Sequence, residues 1–519
     1  MTVMAPRPRT AGPHRPRHPA PVSVADTAPR RGPIRAAWAV PTVRRGFYGT
    51  LAIALGSLSP AYLPRSSPWW TPLNMLHLNG VGARVGGTLL VLCGIGLLVD
   101  AWFQLRPIPG VRSSAVVYHQ LRHWAILAIW GAPFLLAPPI LSGDAYSYAA
   151  QGWLVHNHID PYRVGPGVLP GAFADQVAWV WRYTPAPYGP LSLQIAHLLD
   201  AVAGYHPYLS ALLMRIPALL GVLAIGLLLP RIARQMGIDP ALAAWFGTLN
   251  PILVIDFIGG AHNDSLMLGF VVLGLWLAGR RGRWWIPAAL LIGIGASVKQ
   301  PALLAAYAVP LIARPWPSWR VREITISMIR GVVSLALAAA AFAGVTQLTG
   351  LGYGWLNAVN VPGLVVTVSP STTIGVALQF LVNLVHLDPT GHLVVRYTRT
   401  AFLVAAGLIV AAMAFSTARR RPISFVAYGY LAVAFLSPAL HTWYVLWGGL
   451  LFPLTRPTHR QVKAAVWTTI ALLSYAAINL SWRNGLVALG VAALVAYLWM
   501  VHEHHVSTEP QARAQPAEG

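Results

Sequence analysis

Residues 85–105 read VGGTLLVLCGIGLLVDAWFQL, an almost wholly apolar stretch whose one charged side chain, Asp100, lies near its end. A helix needs about 20 apolar residues to cross the hydrocarbon of a bilayer, so this stretch predicts a transmembrane helix. Comparable runs fall near 47–64, 123–141, 209–230, 240–258, 265–279, 284–298, 301–313, 331–348, 400–416, 422–438, 443–454, 464–481 and 484–501. Lipid cannot satisfy backbone polar groups, and helices satisfy their own. The expected fold is an all-α polytopic membrane protein with about 12–14 transmembrane helices, a range because several runs are short.

Composition agrees. Over 519 residues, 56% are hydrophobic and 10% charged, with a mean hydropathy of +0.57. Soluble domains carry about 25% charged residues. The net charge of +23 does not point to nucleic acid, because the arginines collect in the N-terminal segment and in short loops between apolar runs. That is the pattern that orients membrane proteins, with basic loops inside. The lone cysteine, Cys93, lies within LLVLCGIGLL and can form no intrachain disulfide.

Residues 1–45 hold nine Arg, nine Pro and a single acid, Asp26, without the apolar core of a signal peptide. They are expected to be a disordered basic cytoplasmic tail, with a membrane domain over 46–501 and a second cytoplasmic tail over 502–519. Placing the N-terminus inside puts 106–122, 231–239, 280–283, 314–330, 418–421 and 455–463, the basic loops, all on the cytoplasmic side. Two long loops, 142–208 and 349–399, then lie outside. Their apolar stretches at 188–204 and 373–387 carry Gln194, His197, Asp200, Gln379, Asn383 and His386, and read as interfacial helices.

The chemistry-bearing residues gather on that outer side. Asp144, in PPILSGDAYSYAAQGWLVHNHIDPY, follows the third run and is flanked by Tyr146 and Tyr148. A carboxylate there can take a proton from a sugar hydroxyl, and it can equally cap the helix that follows. GGAHND at 259–264 packs His262, Asn263 and Asp264 into one turn, where a cap explains the Asn or Asp but not the histidine. ASVKQP at 296–301 places Lys299 and Gln300 inside apolar sequence; the lysine either neutralises a phosphate or snorkels to the interface. SPALHTWYVLW at 437–447 sets His441 beside Trp443, Tyr444 and Trp447. An aromatic belt accounts for the rings, while the imidazole remains free to donate to phosphate. The first outer loop adds Arg163 and Arg182 for phosphate, and Tyr188 among the rings that stack on sugars.

SGDAYSYAAQGWLVHNHIDPY, RYTPAPYGPL, GGAHNDSLMLG, GASVKQPALL and SPALHTWYVLW, in that order, resemble the actinobacterial polyprenol-phosphomannose-dependent α-1,6-mannosyltransferases of the GT-C class. The resemblance covers about residues 47–500. It implies a GT-C-type bundle, a polyprenyl-phosphate-linked mannose donor, a mannolipid acceptor, inversion at the anomeric carbon, and a plasma-membrane site on the extracytoplasmic face. It also makes Asp144 the general base. Many GT-C members carry two adjacent acids where SGDAYS has one, which weakens the case for a metal held by paired carboxylates. No cofactor is expected, and a divalent metal is left open, as is oligomeric state. The alternatives are transfer of another polyprenyl-phosphate sugar, or transport. Transport predicts an internal repeat, which is not evident, and ionisable groups deep in spans, of which Asp256 is the best example.

Overall fold

The computed structural model describes residues 32–107, 122–280, 282–357, 367, 369–385, 393–481 and 490–500. Every regular element among the described residues is helical. Among the described residues, four helices are long and apolar enough to cross a membrane alone: Val81–Gln104, Pro207–Gln235, Val321–Thr349 and Leu393–Arg420. Pro240–Thr248 and Leu253–Gly259 pass as a pair bent by 56°. Shorter apolar helices include Asp264–Ala278, Trp285–Ala296, Gln300–Ile312 and Pro422–Leu436.

The all-helical membrane fold is therefore as expected, but the helices of full spanning length are fewer than the 12–14 anticipated from apolar runs. Shorter apolar helices and breaks account for much of the difference. Asn250 and Pro251 interrupt the 240–259 run, whose two halves wind partly in wide π-type turns. Lys299 and Pro301 separate the helix ending at Ala296 from the short turns after it. Non-helical backbone at membrane depth is tolerated where it is buried in protein or lines a cavity. The second break, at Lys299 to Pro301, lines the site described below.

The stretches expected to be interfacial form helices at Pro190–Val202 and Pro370–Leu384, each too short to span. His386 lies outside the described residues, as do 1–31 and 502–519. Helical structure begins at Pro33, inside the segment expected to be a disordered tail, and resumes at Pro41.

Close helix crossings organise the bundle. Pro41–Gly56 meets Val81–Gln104 through Gly49 and Gly94, where a Cβ on Gly94 would come within 2.5 Å of the Gly49 carbonyl. Small residues at such crossings let backbones touch in membranes. Trp102 and Trp245 stack at 4.6 Å, and each indole donates to the other's carbonyl, at 2.9 and 2.7 Å. This clamp ties the second long run to the bent segment that leads into the site. By contrast, Leu393–Arg420 leaves Leu403, Val404 and Leu408 exposed, an apolar surface suited to lipid.

Candidate active site

Asp144 is the first residue of the helix Asp144–His156, and its side chain makes no cap. Its N–H donates to Ser142 Oγ at 3.1 Å, leaving the carboxylate to face inward. A carboxylate in a helix's first turn is favoured by the helix dipole. The segment before it is held under strain: Leu141 has φ of +64°, and Ala261, before His262, has φ of +57°. Such conformations cost non-glycine residues about 1–3 kcal/mol and persist where surroundings over-determine them.

Arg215 supplies that constraint. It is buried, and its guanidinium donates to the carbonyls of Leu135, Ala137, Ile258 and Gly259 at 2.8–3.1 Å. One side chain thus fastens the turn leading to Asp144 onto the turn leading to His262. Nothing in the chain's motifs marks this role; the only signal is an arginine near the start of an apolar run.

His262 Nδ1 lies 3.4 Å from Asp144 Oδ2, an electrostatic contact rather than a well-formed hydrogen bond, since neither ring nitrogen has a partner in good geometry. The imidazole stacks on Trp443 at 3.7 Å, and His441 stacks on the same indole at 4.5 Å. Tyr148 bridges the two loops, its hydroxyl 3.3 Å from Asp144 Oδ2 and 3.2 Å from Asn263 Oδ1, while the Asn263 amide donates to Ser192 at 3.0 Å.

Asp264 has both oxygens occupied. Lys299 Nζ donates to Oδ2 at 2.8 Å and Trp447 Nε1 to Oδ1 at 2.7 Å. The ammonium also sits among the rings of Tyr444, Tyr188 and Trp447, at 4.9, 5.8 and 5.8 Å. A buried lysine is costly unless paired, and carboxylate and rings together meet that cost. Gly189 makes the approach feasible: its N–H donates to Val298 O at 3.0 Å, and a Cβ there would lie 2.2 Å from the Ser297 carbonyl. The loop before Pro190 is thereby docked on ASVKQP.

These groups wall a cavity of about 460 Å³ that Asp144, Tyr188, Lys299, Gln300, His441, Trp443 and Tyr444 all line. Trp181, Trp355 and Trp447 complete its aromatic wall, and Leu356 and Leu403 its apolar end. The indole N–H groups of Trp443 and Trp355 are buried without a partner. Buried donors left over in this way point to a ligand acceptor. Burial pushes the Asp144 carboxyl up, but His262, with His441 and Lys299, more than offsets this and holds it at about 2. Burial pulls His441 down to about 4, so its imidazole is neutral near pH 7.

The remaining candidates lie elsewhere. Arg163 is 86% exposed and pairs with Asp160 at 3.3 Å, away from the cavity. Arg182 pairs with Asp175 at 3.3 Å and, with Tyr146, lines a second cavity. Asp256 accepts from Thr442 at 2.7 Å, joining the bent segment to the turn after His441. Trp355 escaped sequence reasoning, because it belongs to a different loop from every motif. Among the described residues, no group of three or more His, Cys, Asp or Glu side chains is arranged to hold a metal.

Residues 43–315 match the family described as alpha-(1→6)-mannopyranosyltransferase, N-terminal domain, and 371–502 match the MptB C-terminal domain. The chain belongs to this family. It is 30% identical over 437 residues to alpha-(1→6)-mannopyranosyltransferase A of Mycobacterium tuberculosis, covering 81% of this chain and 80% of that one. Identity to alpha-(1→6)-mannopyranosyltransferase B of Corynebacterium glutamicum is 31% over 438 residues, with 78% and 71% covered. No solved structure matches. The transferase is thus a membrane glycosyltransferase of the mannosyl class, and both matched regions contribute to its cavity: Asp144 and Lys299 from the first, His441 and Trp443 from the second.

Proposed function

We propose that the transferase moves mannose from polyprenyl-phosphomannose to a lipomannan or mannosylated glycolipid acceptor, forming α-1,6 linkages with inversion. Asp144 takes the proton from the acceptor hydroxyl, whose oxygen attacks the anomeric carbon. The bond from that carbon to the phosphate oxygen breaks, and its electron pair leaves with polyprenyl phosphate. A base must be ionised at the operating pH and within reach of the proton, and a carboxylate held at about 2 on a cavity wall is ionised. The developing phosphate charge is met by Lys299, with hydrogen bonds from Trp443, Trp355 and His441. Fixed donors in a dry site stabilise developing charge strongly.

One observation carries this proposal. The cavity that holds an ionised carboxylate and a buried lysine also extends to Leu403, 41% exposed on the apolar face of Leu393–Arg420. A donor with a charged head and a long apolar tail fits that gradient, with the tail in lipid. On this reading the enzyme is a plasma-membrane protein with both termini in the cytoplasm and the site outside. The test is transfer by purified enzyme from polyprenyl-phosphomannose in competition with polyprenyl-phosphate glucose and arabinose. Selective transfer of mannose supports the proposal. Transfer of another of these sugars in preference would overturn the donor assignment.

A further inference from the structure

A second cavity, of about 610 Å³, lies against the first. Ser142 and Gly143 line it, while the next residue, Asp144, lines the donor cavity. The short helix Trp179–Arg182 divides in the same way: Trp179 and Arg182 face the second cavity and Trp181 the first. Gly143 packs on the residue before that helix, since a Cβ on it would lie 3.6 Å from Ala178. The two cavities therefore share a wall at residues 142–144 and 179–182, and Asp144 lines its donor side.

The second cavity has different chemistry. It holds no buried lysine; Arg182 there is balanced by Asp175, and Arg65 is exposed. Tyr146 Oη and Arg182 Nε are both buried without a partner. At its rim Trp179 is 85% and Tyr183 74% exposed, large rings held in water. Paired donors and acceptors beside exposed rings suit a ligand with many hydroxyls and an apolar ring face, not a phosphate.

We propose that this second cavity binds the growing end of the acceptor, a neutral chain of pyranose sugars. Trp179 and Tyr183 stack on the chain, and Tyr146, Asp175 and Arg182 bond its hydroxyls. The terminal hydroxyl then reaches Asp144 from the side opposite the donor. Displacement with inversion requires nucleophile and leaving group on opposite faces of the anomeric carbon, an approach open to two ligands whose cavities share the wall that carries the base. This proposal rests on the mannosyl-transfer reading above.

Trp179→Ala is the decisive variant, because a ring so exposed contributes little to folding. Initial rates of the full-length enzyme in detergent are measured against synthetic α-1,6-oligomannoside and, separately, against donor. The acceptor KM is expected to rise roughly five- to tenfold, the value of one lost ring contact, with the donor KM changing less than about twofold. Tyr146→Phe, which deletes one oxygen, is expected to shift acceptor KM in the same sense. An unchanged acceptor KM in both variants, or a donor KM that rises in step, would overturn the assignment. Saturation-transfer NMR between enzyme and oligomannoside reads glycan binding apart from turnover. Binding by the wild type that is lost in Trp179→Ala supports the cavity even if the donor assignment fails, and no binding by the wild type sinks it.

Discussion

His262 Nδ1 stands 3.4 Å from Asp144 Oδ2, and the two residues arrive there from turns that a single buried arginine, Arg215, holds together. The imidazole is fixed from its other face by Trp443 at 3.7 Å. Asp144 is therefore positioned by three separate parts of the chain. Its charge is set by the same contacts, since His262 is the largest influence lowering its proton affinity against the cost of burial. The consequences of this arrangement can be tested individually.

The pH dependence of turnover should depend on His262. With Asp144 held at about 2, the base is ionised at every practical pH and is lost only as pH falls through that value. A profile of kcat/KM for the wild type should therefore show no acid limb from Asp144 between about pH 5 and 7. In His262→Ala the lowering contact is gone while burial remains. The acid limb should then move upward into the measurable range, and an unchanged profile would count against the coupling.

Lys299 and Asp264 separate structure from chemistry. Lys299→Met leaves the Asp264 carboxylate buried without its cation, and should lower thermal stability by about 3–5 kcal/mol as well as activity. The double variant Lys299→Met/Asp264→Asn removes both charges and should recover most of the stability. Its activity should stay down by about a hundredfold or more, because the phosphate still lacks its cation. Recovery of activity along with stability would make Lys299 a structural residue only.

Arg215→Met removes four hydrogen bonds to backbone carbonyls at once. Each buried carbonyl left unsatisfied costs about 1–3 kcal/mol. The variant should unfold several degrees lower in detergent, and its donor and acceptor KM should both rise, since the partition between the cavities loosens. A variant with wild-type melting and kinetics would remove Arg215 from the account.

Asp200 makes an opposite pH prediction. It is buried with neither oxygen partnered, and burial pushes it up to about 8, slightly offset by Ser210. The folded state then keeps a proton that the unfolded chain releases above the ordinary 3.8. Stability is full below that value and falls as pH rises from there to about 8. Asp200→Asn should abolish this slope and melt higher than the wild type at about pH 8, a difference that shrinks towards about pH 4. Thermal melts at several pH values decide the matter.

Much of this was readable from residue pattern because membrane proteins separate polar from apolar sequence so sharply. The run at 85–105 became the helix Val81–Gln104, and the polar islands around Asp144, His262, Lys299 and His441 converge on one cavity. Spans were less readable, since a bent pair such as Pro240–Thr248 and Leu253–Gly259 has the same hydropathy as one straight helix. Side-chain direction was invisible too. Arg182 and Trp181 are neighbours in sequence, yet they face different cavities because a four-residue helix turns them apart. Asp264, one of three polar residues in the GGAHND turn, spends both oxygens on Lys299 and Trp447, a pairing that spacing does not reveal.

The most direct test is mannosyl transfer from polyprenyl-phosphomannose by membranes carrying either the wild type or Asp144→Asn at matched expression. The substitution keeps shape and removes the base. Transfer by the wild type and a fall of about two to four orders of magnitude in the variant is the predicted result. Undiminished transfer by Asp144→Asn would contradict the assignment of Asp144 as the base on which the whole site is built.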